Sequence, residues 1–282
     1  MSLSLVTRYR FKTALRISDT ADDTQLLRDL EYVSDLMERD AKRWFQVRTA
    51  TLYFQARWGD RLLLSEDLLS LTTLKTLTLN DGGTRSYGAG TDATAQWAAT
   101  DYDLYPMNAV ARKEPYWEIR VNPEGDYSFP TDPLGVQIAG TWGYWQDTVS
   151  AGTLGAAIAS TTTTSVTMTA GHSVEAGHTL LIGSEQLYVS AVATNTLTVE
   201  RGVNGTTAAT ASNGAAVSRY RYPPVVEDAC IRQGQLSFRG HDAPFSTIGG
   251  GEWNEQVRSV FTAGIHPFVR AQLNQVRRLE AV

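Results

Sequence analysis

The chain has one cysteine, Cys230, and four histidines among 282 residues. A single thiol excludes an intrachain disulfide framework and a multi-cysteine zinc site. No stretch reaches the roughly eighteen apolar residues that a membrane-spanning helix needs. The opening segment Met1 to Lys12 lacks the apolar core of a signal peptide, so the expectation is a cytosolic product with no membrane partner. Positive charge is in deficit: 25 Lys and Arg stand against 30 Asp and Glu, a formal charge of −5. That balance argues against a protein that grips nucleic acid by neutralising phosphates. The GxSxG, HExxH and EF-hand patterns are missing. Apolar content is not low: 42% of residues are hydrophobic and 20% charged. Such a chain folds, and its length suits about two ordinary domains.

What is present is an interruption. An acidic sequence with helical periodicity and many tryptophans is split by a block of Thr, Ala, Gly and Val from Ser150 to Val217. The expected fold class is therefore α+β: a helical core with a small β-sheet or hairpins, plus an inserted all-β barrel or sandwich-like domain. The expected boundaries are 1–147 and 222–282 for the two parts of the core and 148–221 for the insert. Insertions are tolerated at exposed loops, so the module should point away from the core of its host.

The strongest helical signal starts near Ala21. Thr20 and Asp23 have capping-box spacing, and Leu26, Leu30, Val33, Met37, Ala41 and Trp44 recur at three- and four-residue steps. A shorter element containing Tyr9, Phe11, Ala14, Leu15 and Ile17 precedes it. Residues 47–54, 68–79 and 116–121 read as strands from their β-branched, aromatic and alternating composition, with a turn at Asn80-Asp81-Gly82-Gly83. Within the insert the short β candidates are 164–168, 179–182, 186–189 and 196–199. Glu175, Glu185, Glu200 and Arg201 are the few charges expected to keep the insert soluble. Pro223-Pro224 opens a helix over 225–239 with Val226, Cys230, Gln233 and Leu236 on one side. Gly249 to Gly251 reads as a joint, Glu252 to Thr262 as a further helix, and Phe268 to Leu279 as a last helical stretch ringed by Arg270, Arg277 and Arg278.

Residues with chemical potential are few. His172 and His178 repeat in two Ala-Gly-His triplets but lack a third ligand nearby, so turn positions explain them better than a metal. Asp101 and Asp103 flank Tyr102 and read as a solvated strand edge rather than an acid/base pair. Cys230 on an apolar helical stripe reads as core. The expectation is a non-enzyme without cofactor or metal.

Several passages, taken in order, resemble the head-tail connector (adaptor, or head completion) proteins of tailed bacteriophages. They are Val6-Thr7 with Lys12, Leu15 and Ile17; Asp22-Asp23 with Leu26, Leu30 and Ser34; and Arg43-Trp44-Phe45. Leu62-Leu63-Leu64, Leu68 to Leu79 and Asp101 to Pro106 continue the series. Gly140-Thr141-Trp142-Gly143-Tyr144 followed by Pro224-Val225-Val226-Glu227-Asp228-Ala229 is similar to that family's passage from sheet into helix. The insert, through Gly183 to Val189, Asn195 to Gly202 and Asn204-Gly205-Thr206, is similar to small β modules that recur in phage virion proteins.

The resemblance implies a passive virion protein of the neck, assembled in the host cytoplasm as a homo-oligomeric ring, commonly a dodecamer. Its partners would be the portal protein and a stopper, tail-terminator or tail protein, with the insert contacting the major capsid protein. DNA would pass through the lumen without specific binding, and the helices would form the ring. Portal docking would fall to Pro267, Phe268, Val269, Arg270, Leu273, Val276, Arg277 and Arg278. The rival expectation is an adhesin whose Thr-rich insert binds host-surface glycan through Tyr188 and Tyr220.

Overall fold

The computed structural model describes residues 3–79, 85–89, 95–242 and 264–278. Two helices, α1 (Arg8–Leu15) and α2 (Asp23–Ala41), come first. Strands β1 (Arg48–Phe54), β2 (Arg61–Leu79), β3 (Arg85–Gly88) and β4 (Tyr102–Tyr105), the single turn α3 (Ala109–Arg112), β5 (Tyr116–Val121) and β6 (Val136–Trp142) follow. Six more strands are β7 (Thr148–Thr153), β8 (Ser165–Thr167), β9 (Thr179–Ile182), β10 (Glu185–Ala193), β11 (Thr196–Glu200) and β12 (Ala216–Tyr220). Helices α4 (Pro224–Asp242) and α5 (Pro267–Leu273) close the described chain.

Strand outweighs helix, 34% against 24% of the described residues, and two six-stranded antiparallel sheets carry them. The expected helical core with a small sheet and an inserted β domain is thus corrected to a mostly β protein. The periodicity of α2 favours helix in the sequence, whereas β2 runs for 19 residues and passes through Ser65-Glu66-Asp67, ahead of the 68–79 stretch expected as strand. That strand survives its polar stretch because bulges re-aim it: its register shifts between Leu63 and Leu68 against β5, and twice more against β6.

The chain divides into two compact units. One comprises Arg43–Gln146 and holds the sheet ordered β1-β6-β2-β5-β4, with β3 pairing the far end of β2. Its core lies on one sheet face, where Phe54, Leu62, Leu68, Leu74, Ile119, Val136, Ile138 and Trp142 are buried. Trp97 closes this core by stacking on Phe129 and Tyr127, each at 5.0 Å between ring centroids.

The other unit joins Met1–Lys42 to Asp147–Arg278. Its sheet runs β7-β12-β9-β10-β11-β8, and the two ends meet through a Leu154–Met168 bridge and the bonds Gly155 N to Thr167 O (2.8 Å) and Thr169 N to Thr153 O (2.9 Å). Closure removes the free edges that so polar a set of strands would otherwise expose. Leu180, Leu187, Val189 and Leu197 fill the interior and are fully buried. On the helical side, Leu26, Leu30, Val33, Met37 and Ala41 of α2 have no exposed surface, as the three- and four-residue spacing demands. Ser34 Oγ lies 3.6 Å from Cys230 Sγ on α4 and accepts the Leu5 amide at 3.0 Å.

Thr20 and Asp23 do not form the expected capping box. The Asp23 carboxylate is taken by Lys12 at 2.6 Å and Arg8 at 3.2 Å, which ties α1 to the start of α2. The readings of 80–83 as a turn, Gly249 to Gly251 as a joint and Glu252 to Thr262 as a helix lie outside the described residues.

Candidate functional site

The β module does not stand clear of the helices. Residues Leu3 to Thr7 are all buried, at 0–5% exposure, and Arg8 N donates to Ala176 O at 3.0 Å. Gly177, with φ of 96°, permits this approach: a Cβ there would lie 3.1 Å from Val6 O. Tyr188 on β10 is 1% exposed, packs with Leu3 and Leu27, and donates its hydroxyl to Glu31 Oε1 of α2 at 2.9 Å. Burial raises the Glu31 carboxyl above its ordinary range, against the opposing hydrogen bond from Tyr188. The expectation of a module pointing away from its host is therefore overturned. Deleting Ser150 to Val217 would uncover Leu3 and Leu27 rather than leave a finished surface.

The same burial removes the aromatic platform that a glycan site needs. Tyr188 and Tyr220 are 1% and 7% exposed, and burial pushes the Tyr220 phenol up to about 12. Neither ring offers a face to a sugar.

Two of the charges read as solubilising are interior. Glu185 and Arg201 keep only 2% and 6% side-chain exposure and pair in two places, Nε to Oε1 at 2.6 Å and Nη2 to Oε2 at 2.7 Å. Arg201 also donates to the carbonyls of Ser160, Thr163 and Ala209, while Glu185 accepts from the amides of Gly202 and Ala209. Burial alone would raise the Glu185 carboxyl; Arg201 and the two amides outweigh it and hold it below its ordinary range. The pair is a staple for the loops on either side, with every strong donor and acceptor engaged.

His172 and His178 serve as turn residues. His172 lies 2.9 Å from Thr194 O and accepts the Val174 amide. His178 accepts the Glu175 amide at Nδ1 (2.9 Å), and Arg219 approaches its Nε2 at 2.9 Å. Burial, then the cations Arg219 and Arg10, lower its pKa to about 3, so the ring is neutral at physiological pH. Asp101 accepts the Ala98 amide at 2.6 Å, and Asp103 is exposed on β4. Cys230 is fully buried, and burial pushes its thiol up to about 12, which leaves no thiolate to react. Among the described residues no three of His, Cys, Asp and Glu gather as a metal-binding group, and no helix is long and apolar enough to cross a membrane. An open cleft of about 520 Å3 lies between α1 and the 174–176 turn, but Arg8 and Lys12 in its wall are already paired with Asp23.

The C-terminal segment divides its residues between inside and outside. Val269, Leu273 and Val276 are 1%, 0% and 7% exposed and pack within their own unit, so they are spent on the chain's own core. Arg278 N donates to Ala41 O at 3.1 Å, and Arg277 is half-buried. Pro267 and Arg270 face solvent; Arg270 bonds Asp40 Oδ1 at 2.7 Å. Phe268, 55% exposed, carries Arg232 5.3 Å from its ring centre. Only Pro267, Phe268 and Arg270 of the eight present substantial surface to a partner.

Sequence reasoning missed a second set of exposed apolar side chains in the Arg43–Gln146 unit: Tyr53, Met107, Val110 and Trp117, between 46% and 71% exposed. Strand alternation signals Tyr53, which lies out of phase with Leu52 and Phe54 on β1, but not Trp117, which stands two positions before the fully buried Ile119 on β5.

The passage similar to connectors occupies structurally demanding positions. Trp142 is wholly buried at the end of β6 and donates Nε1 to Ala50 O at 2.9 Å. Gly143 has φ of 147°, and a Cβ on it would lie 2.9 Å from Gln46 O. Tyr144 packs edge-on to Phe45 and under Arg43, whose guanidinium lies 4.5 Å from the ring centre. Pro224 opens α4, and Val226, Ala229 and Cys230 are its fully buried stripe.

No protein-family model matches the chain, and no curated protein matches it. Among solved structures the chain is similar to one described as "Neck of empty GTA particle computed with C6 symmetry", at 14% identity and a TM-score of 0.44. The alignment covers 99% of this chain and 92% of that one. The likeness is distant.

Proposed function

We propose that the chain is a structural subunit of a tailed-phage neck, a connector that assembles as a homo-oligomeric ring between the portal and the stopper or tail. The observation that carries this reading is where the connector-like residues fall. Trp142, Gly143 and Tyr144 terminate the sheet in a conformation that only glycine at 143 accommodates, and Pro224 to Cys230 start a helix with one buried stripe. An order of motifs that coincides with the turning points of a fold is harder to obtain by chance than the motifs singly.

The role is passive. A net charge of −5 suits a wall past which DNA slides, because a basic lumen would hold phosphates through counterion release. Twelve copies, on the family pattern, would form the ring. The exposed Pro267, Phe268 and Arg270 would meet the portal, with the β module facing the capsid. A nonsense mutation in this chain, followed by electron microscopy of the lysate, tests the reading. Packaged heads lying apart from finished tails are expected; complete tailed particles that merely fail to adsorb would refute it.

A further inference from the structure

We propose that neighbouring copies join edge to edge through the sheet of the Arg43–Gln146 unit, the outer edge of β4 in one copy pairing with the outer edge of β1 in the next. The inference rests on the ring reading and supplies its subunit contact. It moves that contact from the helices, whose apolar stripes are spent inside the chain, to the sheet.

Strands β1 and β4 terminate the order β1-β6-β2-β5-β4, and among the described residues no strand pairs with the outer side of either. An edge strand exposes a row of backbone donors and acceptors, and proteins usually blunt it with Pro, Lys, a bulge or extreme shortness. β1 has none of these devices. Its seven residues, RTATLYF, keep one unbroken register with β6 from Arg48↔Trp142 to Phe54↔Val136.

Direction selects the partner edge. Four successive antiparallel pairings separate β1 from β4, so the two edges run the same way. Joining unlike edges is a head-to-tail contact, which repeats under rotation and closes a ring; joining β1 to β1 would stop at a two-fold dimer. The new junction is consequently a parallel pair.

Faces and charges agree with this choice. Ala50, Leu52 and Phe54 of β1 and Tyr102 and Leu104 of β4 all contribute to the core on one face of the sheet. Setting Ala50 beside Tyr102 and Leu52 beside Leu104 continues that face across the junction. The same register sets Thr51 beside Asp103 and Tyr53 beside Tyr105 on the other side. A slip of one residue would turn Asp103 toward the apolar side. β1 carries one base, Arg48, and no acid, whereas β4 carries Asp103, is preceded by Asp101 and has no base. Pairing β4 with β4 would oppose carboxylates, and pairing it with β1 does not.

The test uses particles assembled with a full-length chain carrying Thr51→Cys and Asp103→Cys, both at exposed positions, and treated with a short bismaleimide. Cys230 is buried and does not compete. A ladder of covalent multimers from the double variant, with each single variant remaining monomeric, is the expected result. Dimers from Thr51→Cys alone would mean β1 meets β1 and would overturn the proposal. Absence of linkage in particles whose micrographs still show the ring would overturn the edge pairing and leave the ring reading standing. Particles that hold the chain in no ring would overturn both.

Discussion

Replacing Arg201 by methionine is the sharpest stability perturbation available in the β module. The substitution keeps most of the volume and removes the cation from a carboxylate that is 2% exposed. Glu185 would retain only the Gly202 and Ala209 amides, at 3.1 and 2.9 Å, and three loop carbonyls would lose their donor. Breaking one side of a buried ion pair costs about 3–5 kcal/mol, because the remaining charge stays desolvated. At roughly 1.4 kcal/mol per tenfold, that raises the open population of the module by about two to three and a half powers of ten. Amide hydrogen exchange of β9 and β10 reads this population directly. The sign with pH follows from the causes of the Glu185 shift. In the native chain the lowered carboxyl contributes stability that is present above the ordinary carboxylate range and lost as pH falls through the folded value. In the variant, burial acts without the cation, the carboxyl rises, and the deficit shrinks on acidification. A double variant, Glu185→Gln with Arg201→Met, should lose less than the single one, since no buried charge is orphaned. A loss under about 1 kcal/mol for Arg201→Met, or a deficit that grows in acid, would refute the staple.

Three further outcomes are expected. His178 is neutral in the fold, with its pKa lowered from 6.5 to about 3. Its contribution is thus complete above pH 6.5 and falls by up to about 1.4 kcal/mol per pH unit as the unfolded ring protonates; urea titrations should show that slope in the native chain and lose it in His178→Gln. Trp142→Ala empties a fully buried site and breaks the bond to Ala50 O, so calorimetry should register a loss of about 3–5 kcal/mol in the Arg43–Gln146 unit. Phe268→Asp, at a 55% exposed position, should change stability by no more than about 0.5 kcal/mol yet reduce incorporation into particles; normal incorporation would remove Phe268 from the portal contact.

What could be read in the sequence was set by periodicity. α2 announced itself because five of its apolar residues fall on one stripe and all five are buried. β5, β9 and β11 were legible from alternation or β-branched composition, and their observed bounds lie close to those expected. β7 and β12 were not read: Ser, Ala and Gly make up half of β7, β12 is only five residues long, and both are held by closing a sheet rather than by propensity. The length of β2 was hidden for a related reason: its bulges absorb Ser65-Glu66-Asp67, and bulges leave no simple sequence mark. The burial of Leu3 to Thr7 has no period at all; it follows from the approach of Gly177 in the module, 170 positions away from Thr7 along the chain. The Glu185–Arg201 pair had one available clue, that an Arg and a Glu stand in a stretch otherwise nearly free of charge. Scarcity of that kind favours a paired interior role over a solvating one. Among the docking candidates, helical spacing separated Val269, Leu273 and Val276 onto one side, and that side faces inward.

The account is tested most directly by locating the chain in the assembled particle. A cryo-electron microscopy map of the head-tail junction, reconstructed without imposed symmetry, should accommodate both compact units in each subunit of a closed ring just beneath the portal. Finding the chain at fibre tips or scattered over the capsid, with the junction filled by other proteins, would contradict it.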